Sequence, residues 1–490
     1  MLVFLGFAMV IVFMVLIMTK RLTPAVALIT VPTIFGLFAG AGLGIGDMVM
    51  DSLKDLAPTV ALLMFAIIYF GLMIDVGLFD PLVRGIQKLA GGDPAKIVVG
   101  TAVLAGAVSL DGDGSTTFII TTAAMLPLYL KLGMSPVVLT CVAGLANGTL
   151  NIVPWGGPTA RAAAALGVSP TDIFVPLVPS LIVGLLIVLA FAWFLGVGER
   201  NRLAAVAAYD GNGSKPAATP GSGLFGRARG LRGLAAFGGA QGGNGGGAGS
   251  GVGVTSTLTG TVKVLQDAPV NLTDTMLDPN RATLRPKLFW FNLALTGVVL
   301  VLLVLDLVPL AYVFMVGSAV ALIVNFPKLK QQSDRIVAHA SSIVAVISMV
   351  LAAAVLIGVL SGTGMVDAMA TWLVSIIPSS IGGSLAVITG VLSIPMTFFM
   401  SNDAFYFGIL PVLTESAANF GISPVEMARA SVVGQPVHLQ SPLVPAILLL
   451  VSLANVNLGD HHKKVLWRAV VVSLAMLFVG VLFAAIPWSA

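Results

Sequence analysis

Apolar runs of roughly 20 residues, the length a bilayer core demands, recur along this chain and are separated by short polar breaks. They predict membrane-spanning helices over residues 1–18, 23–45, 57–77, 171–196, 288–305, 308–326, 338–360 and 465–486. The first lacks a basic leading segment and a small-residue cleavage site, so it reads as a retained helix. Two further stretches, 97–155 and 382–456, are apolar but broken by polar and Gly/Pro-containing motifs. Residues 203–287 differ in kind. They are rich in Gly, Ser, Ala and Asn, include Gln241-Gly-Gly-Asn-Gly-Gly-Gly-Ala-Gly-Ser-Gly251, and lack helical periodicity. They are expected to form a flexible linker, cytoplasmic by charge, between membrane repeats at 1–202 and 288–490.

The halves on either side of that linker superimpose at a shift of about 287 residues. Gly77-Leu-Phe-Asp80 meets Gly364-Met-Val-Asp367, Met134-Ser-Pro136 meets Ile422-Ser-Pro424, and Pro154 meets Pro442, in the same order. The basic residues Lys20, Arg21, Arg84, Lys88, Lys96, Arg200, Arg202, Lys328, Lys330, Arg335 and Lys463-Lys464 fall on one side only under a particular folding. Residues 97–130 and the stretch around Ser401 must then each dip in and return as re-entrant hairpins. Each half then has about five transmembrane helices plus one hairpin and a broken helix, and the odd number of crossings inverts the second half relative to the first. The expected fold is an all-α polytopic membrane protein built as an inverted repeat, with both termini external.

Composition agrees with this pattern: 57% of the 490 residues are hydrophobic and only 9% charged. The net charge of +4 resides largely in the short loops, so it gives no reason to expect nucleic acid as a partner; the lipid bilayer is the expected one. A single cysteine, Cys141, excludes an intrachain disulfide, a thiolate zinc site and an iron–sulfur cluster. No zincin, nucleophile-elbow or phosphate-loop motif is present, and the chain is not expected to be an enzyme or to carry a resident cofactor.

Ionisable and amide groups at bilayer depth are costly and mark polar cargo. The first hairpin turn, Asp111-Gly-Asp-Gly-Ser-Thr-Thr117, combines carboxylates, glycines and hydroxyls. Oxygen donors of this kind suit hard cations, protons or hydroxyl-rich substrates, and a solvated turn is the bland alternative. Asp111 and Asp113 are the metal or proton candidates there, with Ser115 and Thr116 as substrate contacts. The helix beginning near Ser135 cannot pass through Gly148, Pro154, Gly156-Gly157 and Pro158 intact. It must unwind and free backbone amides for anions, with Asn147, Thr149 and Asn151 adding side-chain contacts, unless it is merely kinked. Arg161 follows, either to pair a substrate carboxylate or to anchor a helix end. The second half offers Ser401, Asn402 and Asp403 at its tip and Gln435 and His438 in its breaking helix. Gln435 falls opposite Asn147, while Asp403 and His438 are further proton candidates, His438 being equally suited to packing. Asp75, Asp80 and Asp367 are expected as solvated span ends.

Ile67-Ile-Tyr-Phe-Gly-Leu-Met-Ile-Asp-Val-Gly-Leu-Phe-Asp-Pro81, Ser109 to Thr117, Asn151-Ile-Val-Pro-Trp-Gly-Gly-Pro-Thr-Ala-Arg161, Phe399 to Phe407 and Gly434-Gln-Pro-Val-His438 together resemble the bacterial metal-citrate:proton symporters of the ion transporter superfamily. The resemblance covers both halves and implies uptake of a divalent metal–citrate complex, of the Mg2+ or Ca2+ class, by proton symport across the bacterial inner membrane. It also implies an elevator-type homodimer, with the metal as part of the cargo. Relatives place Ser-Asn-Thr-like tips around substrate carboxylates. Here only Ser401-Asn402-Asp403 keeps the Ser-Asn pair, and aspartates at the first tip would repel a trianion unless a cation or proton lay between. A sodium- or proton-coupled di- or tricarboxylate carrier without metal, and a sodium/proton antiporter of the same superfamily, remain alternatives.

Overall fold

In hydrocarbon every backbone N–H and C=O must be satisfied within its own segment, and the apolar runs accordingly fold as helices. The computed structural model describes residues 1–19, 21–112, 114–211, 281–305 and 307–489, and among these no strand occurs. The first half comprises α1 (Leu2–Met18), α2 (Pro24–Phe38), α3 (Ile45–Asp75), α4 (Asp80–Ala90), α5 (Pro94–Val108), α6 (Gly114–Lys131), α7 (Pro136–Leu150), α8 (Gly157–Leu166), α9 (Pro170–Phe174) and α10 (Val178–Gly211). In the second half come α11 (Phe289–Leu305), α12 (Leu310–Asn325), α13 (Leu329–Ala338), α14 (Ala340–Gly362), α15 (Met365–Ile376) and α16 (Leu385–Phe399). These are followed by α17 (Leu410–Ala418), α18 (Pro424–Val432), α19 (Gln435–His438), α20 (Pro445–Leu453) and α21 (Leu458–Leu482). Six helices among the described residues are long and apolar enough to cross a membrane. The chain is an all-α polytopic membrane protein.

Several boundaries differ from those read off the apolar windows. α3 begins well before residue 57, because Asp51 and Lys54 pair at 2.7 Å across one turn and carry the helix outward through charged sequence. α10 continues past residue 202 to Gly211, since Leu203-Ala-Ala-Val-Ala-Ala is dominated by alanine, the strongest helix former. The expected linker otherwise lies mostly outside the described residues. At its far edge Arg281 donates to the Asp80 carboxylate at 2.9 Å and to the Asp75 carbonyl at 3.1 Å, and Arg285 donates to the Asn325 carbonyl at 2.8 Å. Asp75 and Asp80 are therefore not solvated span ends. Their side chains are largely buried, Asp80 against Arg281 and Asp75 against Arg335 and His339 at 3.3 and 3.2 Å.

Helices at corresponding positions in the two halves meet. α3 packs along α14 in the opposite direction: Met48, near the start of α3, faces Gly358 and Gly362 near the end of α14, while Gly71 and Asp75 face His339 at its beginning. A β-carbon on Gly358 would lie 2.6 Å from the Met48 carbonyl oxygen, so the backbones touch because glycine permits it. α3 also packs on α12, and α14 reciprocally on α2. α7 likewise runs antiparallel to the α18–α19 segment, with Gly148 against Pro436 and Gly144 against Gln440. The two hairpins and two broken helices pack on one another beside the α3–α14 pair, and α8 touches both groups.

The α4–α5 corner shows how the chain ends are secured. Asp93 caps α5 by accepting from the Ala95 N–H at 3.0 Å and binds Arg200 of α10 at 2.6 Å. The Arg200 guanidinium holds the Asp93 carboxyl below the usual carboxylate range. A lowered folded-state value means that this stabilisation is complete above the ordinary pKa of about 3.9 and is lost as pH falls through the folded value. Melting curves of detergent-solubilised wild type and Asp93→Asn should accordingly differ near neutral pH and converge in acid. A difference that persists in acid would refute the assignment.

Candidate functional site

Each interruption foreseen in the apolar pattern is a real break, and each has a local cause. After α5 the chain makes a single 3-10 turn, Ser109–Asp111, and reverses at Gly112, whose φ of +79° is easily reached only by glycine. Asp113 lies outside the described residues. Beyond α7 the backbone leaves helix from Asn151 to Gly156, and a β-carbon on Gly156 would sit 2.4 Å from the Asn151 carbonyl oxygen. Thr159 Oγ1 donates to the Ile152 carbonyl at 2.8 Å and closes that turn. Trp155 within it donates to the Leu110 carbonyl at 2.7 Å, tying the first broken helix to the first tip, and stacks on Phe70 of α3 at 5.0 Å.

At the second tip Ser401 Oγ accepts from the Ala404 N–H at 3.2 Å, and Ala404–Ile409 winds as a π-helix before α17. Pro411, at the start of α17, has no N–H with which to close a regular turn, and wide turns of this sort cluster at functional sites. The second broken helix unwinds between α19 and α20.

Gln435, fully buried, is the hub where these segments meet. Its Oε1 accepts from Asn151 Nδ2 at 3.2 Å, and its Nε2 donates to the Tyr406 hydroxyl at 2.9 Å and to Asn402 Oδ1 at 3.3 Å. Tyr406 passes its own proton to the Ser431 carbonyl at 3.3 Å. Three of the four interrupted segments are thus joined through one amide. Asn147 serves the fourth: its Nδ2 donates to Ser109 Oγ at 2.9 Å, and Ser109 donates to the Ala105 carbonyl at 2.6 Å. Arg161 and Asp403 hold each other, Nε to Oδ1 at 2.6 Å, in a largely buried pair that bridges the two halves of the chain.

Not every candidate joins this cluster. Thr149 bonds back to the Leu145 carbonyl at 2.8 Å and packs toward Gly184 of α10. His438 Nδ1 bonds the Thr397 carbonyl at the end of α16. Asp111, Ser115 and Thr116 instead line a cavity of about 530 Å³, with Trp155 and Gly157 on the same side. His339, Ser341 and Ser342 line it from the start of α14. Among the described residues no group of three His, Cys, Asp or Glu side chains is placed to hold a metal ion. The Asp111 carboxylate and the hydroxyls of Ser115 and Thr116 form an oxygen donor set of the kind that suits hard ions.

Sequence reasoning missed a second buried network. His461 Nε2 lies 3.1 Å from Gln440 Oε1, and its Nδ1 lies 3.1 Å from Thr140 Oγ1. Gln440 Nε2 donates to the Gly144 and Pro436 carbonyls, both at 3.0 Å. Because the Gln440 amide nitrogen is so occupied, its oxygen accepts, and His461 Nε2 is the donor. His461 lies beside the Lys463-Lys464 pair, where a histidine is ordinary. Tyr406 sat inside a quoted motif with nothing in its spacing to mark it.

A helical membrane protein whose paired tips and broken helices converge on buried amides, hydroxyls and one ion pair is constructed as a solute transporter. The citrate transporter family model, CitMHS, matches residues 2–434. A citrate transporter of Bacillus subtilis (strain 168) is 46% identical over 487 residues, covering 98% of this chain and 100% of that protein. A Mg(2+)/citrate complex secondary transporter of the same organism is 43% identical over 490 residues, covering all of both chains. The crystal structure of the Alcanivorax borkumensis YdaH transporter aligns with 90% of this chain and 89% of its own, at 13% identity and a TM-score of 0.47. The chain belongs to the citrate transporter family and is a multi-pass protein of the cytoplasmic membrane.

Proposed function

We propose that this chain imports citrate as a complex with a divalent cation of the Mg2+ or Ca2+ class, by proton symport. The observation that carries the reading is the cavity in which Asp111 stands with Ser115 and Thr116. A carboxylate there disfavours a bare trianion but accepts a chelate whose metal it can approach. The relative named as a Mg(2+)/citrate complex secondary transporter supports the same cargo. The amides of Asn147, Asn151, Asn402 and Gln435 frame the neighbouring polar core, and Asp111, Asp113 and Asp403 are the groups through which a proton would couple.

The proposed architecture is an inverted repeat working as an elevator in a homodimer. Antiparallel packing of α3 on α14, and of α7 on α18–α19, supports inversion. Hairpins and broken helices would travel as a body along the α3–α14 pair. No resident cofactor is invoked, since the metal is cargo.

Uptake of radiolabelled citrate into proteoliposomes tests this. Wild type should require both a divalent cation and an inward proton gradient, and Asp111→Asn or Asp113→Asn should abolish the metal-dependent component. Uptake indifferent to metal would favour a carboxylate carrier that takes free citrate. Proton flux driven by sodium alone would favour the antiporter.

A further inference from the structure

The cavity beside the first tip has two unlike walls, and only one belongs to the hairpin and broken helix. The other is the start of α14, where His339, Ser341 and Ser342 face the space. His339 is held in place from two sides. Its ring lies on Gly71 of α3, where a β-carbon would come within 2.6 to 2.8 Å of three ring atoms. Its Nε2 meets Asp75 Oδ2 at 3.2 Å, and Arg335 Nη1 reaches the same oxygen at 3.3 Å.

A carboxylate can only accept, so Nε2 carries the proton and Nδ1 is left as an acceptor for a ligand hydroxyl. Among the described residues Nδ1 makes no hydrogen bond. Beside it stand two serine hydroxyls and the opening turn of a 23-residue helix, whose unpaired N–H groups carry partial positive charge. The hydroxyls and N–H groups of this wall complement the Asp111 carboxylate that lines the same cavity.

We infer that Ser341 and Ser342, with the opening N–H groups of α14, donate from the scaffold side to a carboxylate of the cargo while His339 Nδ1 accepts from its hydroxyl, so that a metal carboxylate is oriented with its cation toward Asp111. In the elevator proposed above, on which this step also rests, such a contact belongs to the part of the molecule that does not travel. It therefore binds cargo in one position of the hairpins and releases it when they move, which gives the site a sidedness that the tips alone lack. The inference rests on the cargo class proposed above.

The test measures KM and kcat for Mg2+–citrate uptake in proteoliposomes containing wild type, His339→Ala, His339→Gln, Ser341→Ala/Ser342→Ala and Gly71→Ala, with folding checked by thermal melting. The histidine deletion and the double serine variant should each raise KM about tenfold with kcat within about twofold. Glutamine should recover part of the loss. Gly71→Ala keeps the imidazole but pushes it from its seat, and it should raise KM as His339→Ala does. Unchanged KM in folded His339→Ala, or a fall in kcat alone, would overturn the assignment. The same panel is run with free citrate and with dicarboxylates. If wild type transports one of these and not the metal complex, the cargo reading fails, while the KM comparison still judges His339.

Discussion

Arg161→Gln should abolish citrate uptake and lower the melting temperature, and Asp403→Asn should do the same, while the double variant recovers a substantial part of the stability. The two side chains are 23% and 11% exposed and meet at 2.6 Å, so either single change leaves its partner charged, poorly solvated and unpaired. Breaking a fully buried pair costs about 3 to 5 kcal/mol, and partial exposure of Arg161 brings the expected loss to about 2 to 4 kcal/mol. The pair also couples two functions that the sequence treats separately. Arg161 opens the helix beyond the first break, and Asp403 ends the second tip, so cargo that drew either away would loosen the contact between the two halves of the chain. Double-mutant analysis of melting and of uptake checks this. Additive losses, with no recovery in the double variant, would show that the pair is not coupled.

Gln435→Leu is the second change expected to have a large effect. It removes one acceptor and two donor hydrogens at once, leaving the buried Tyr406 hydroxyl and the partly exposed amides of Asn151 and Asn402 without their shared partner. An orphaned buried polar group costs about 1 to 3 kcal/mol, and the partly exposed amides less. Uptake should fall by about 100-fold or more, with KM and kcat both affected, because the tip and the broken helix lose their mutual register. Gln435→Glu keeps two acceptors, so it retains the bond from Asn151 and can accept from Tyr406, and it should retain measurable transport. Near-normal uptake by Gln435→Leu would remove the amide cluster from the transport path.

Much of this architecture was legible in the apolar pattern because lipid forces it to be. A span must be apolar and helical, so the tips and the breaks stand out as departures from a uniform rule. Asp111, Asn151, Asn402 and Gln435 were visible as polar residues in apolar company. Their partners were not: Gln435 reaches Asn151 across hundreds of residues, and nothing in local spacing records that approach. Asp75 and Asp80 were misread for the same reason, since burial by Arg281, Arg335 and His339 comes from segments remote in sequence. Thr149 was drawn in by its neighbours, yet a helix turns successive residues by about 100°, and Thr149 is carried round to the α10 face. His339 escaped notice because it opens a span, where a polar residue is ordinary.

The glycine-lined contact between α3 and α14 has a consequence for how the protein is made. Met48 must wait for Gly358, and Gly71 for His339, so the seam cannot close until most of the chain has left the ribosome. At about 5 to 20 residues per second, that interval is on the order of tens of seconds. During it α3 sits in the membrane with Asp75 and Asp80 lacking the arginines that later cover them. The first half is thus an unfinished object during synthesis, its buried face completed only when the second half arrives.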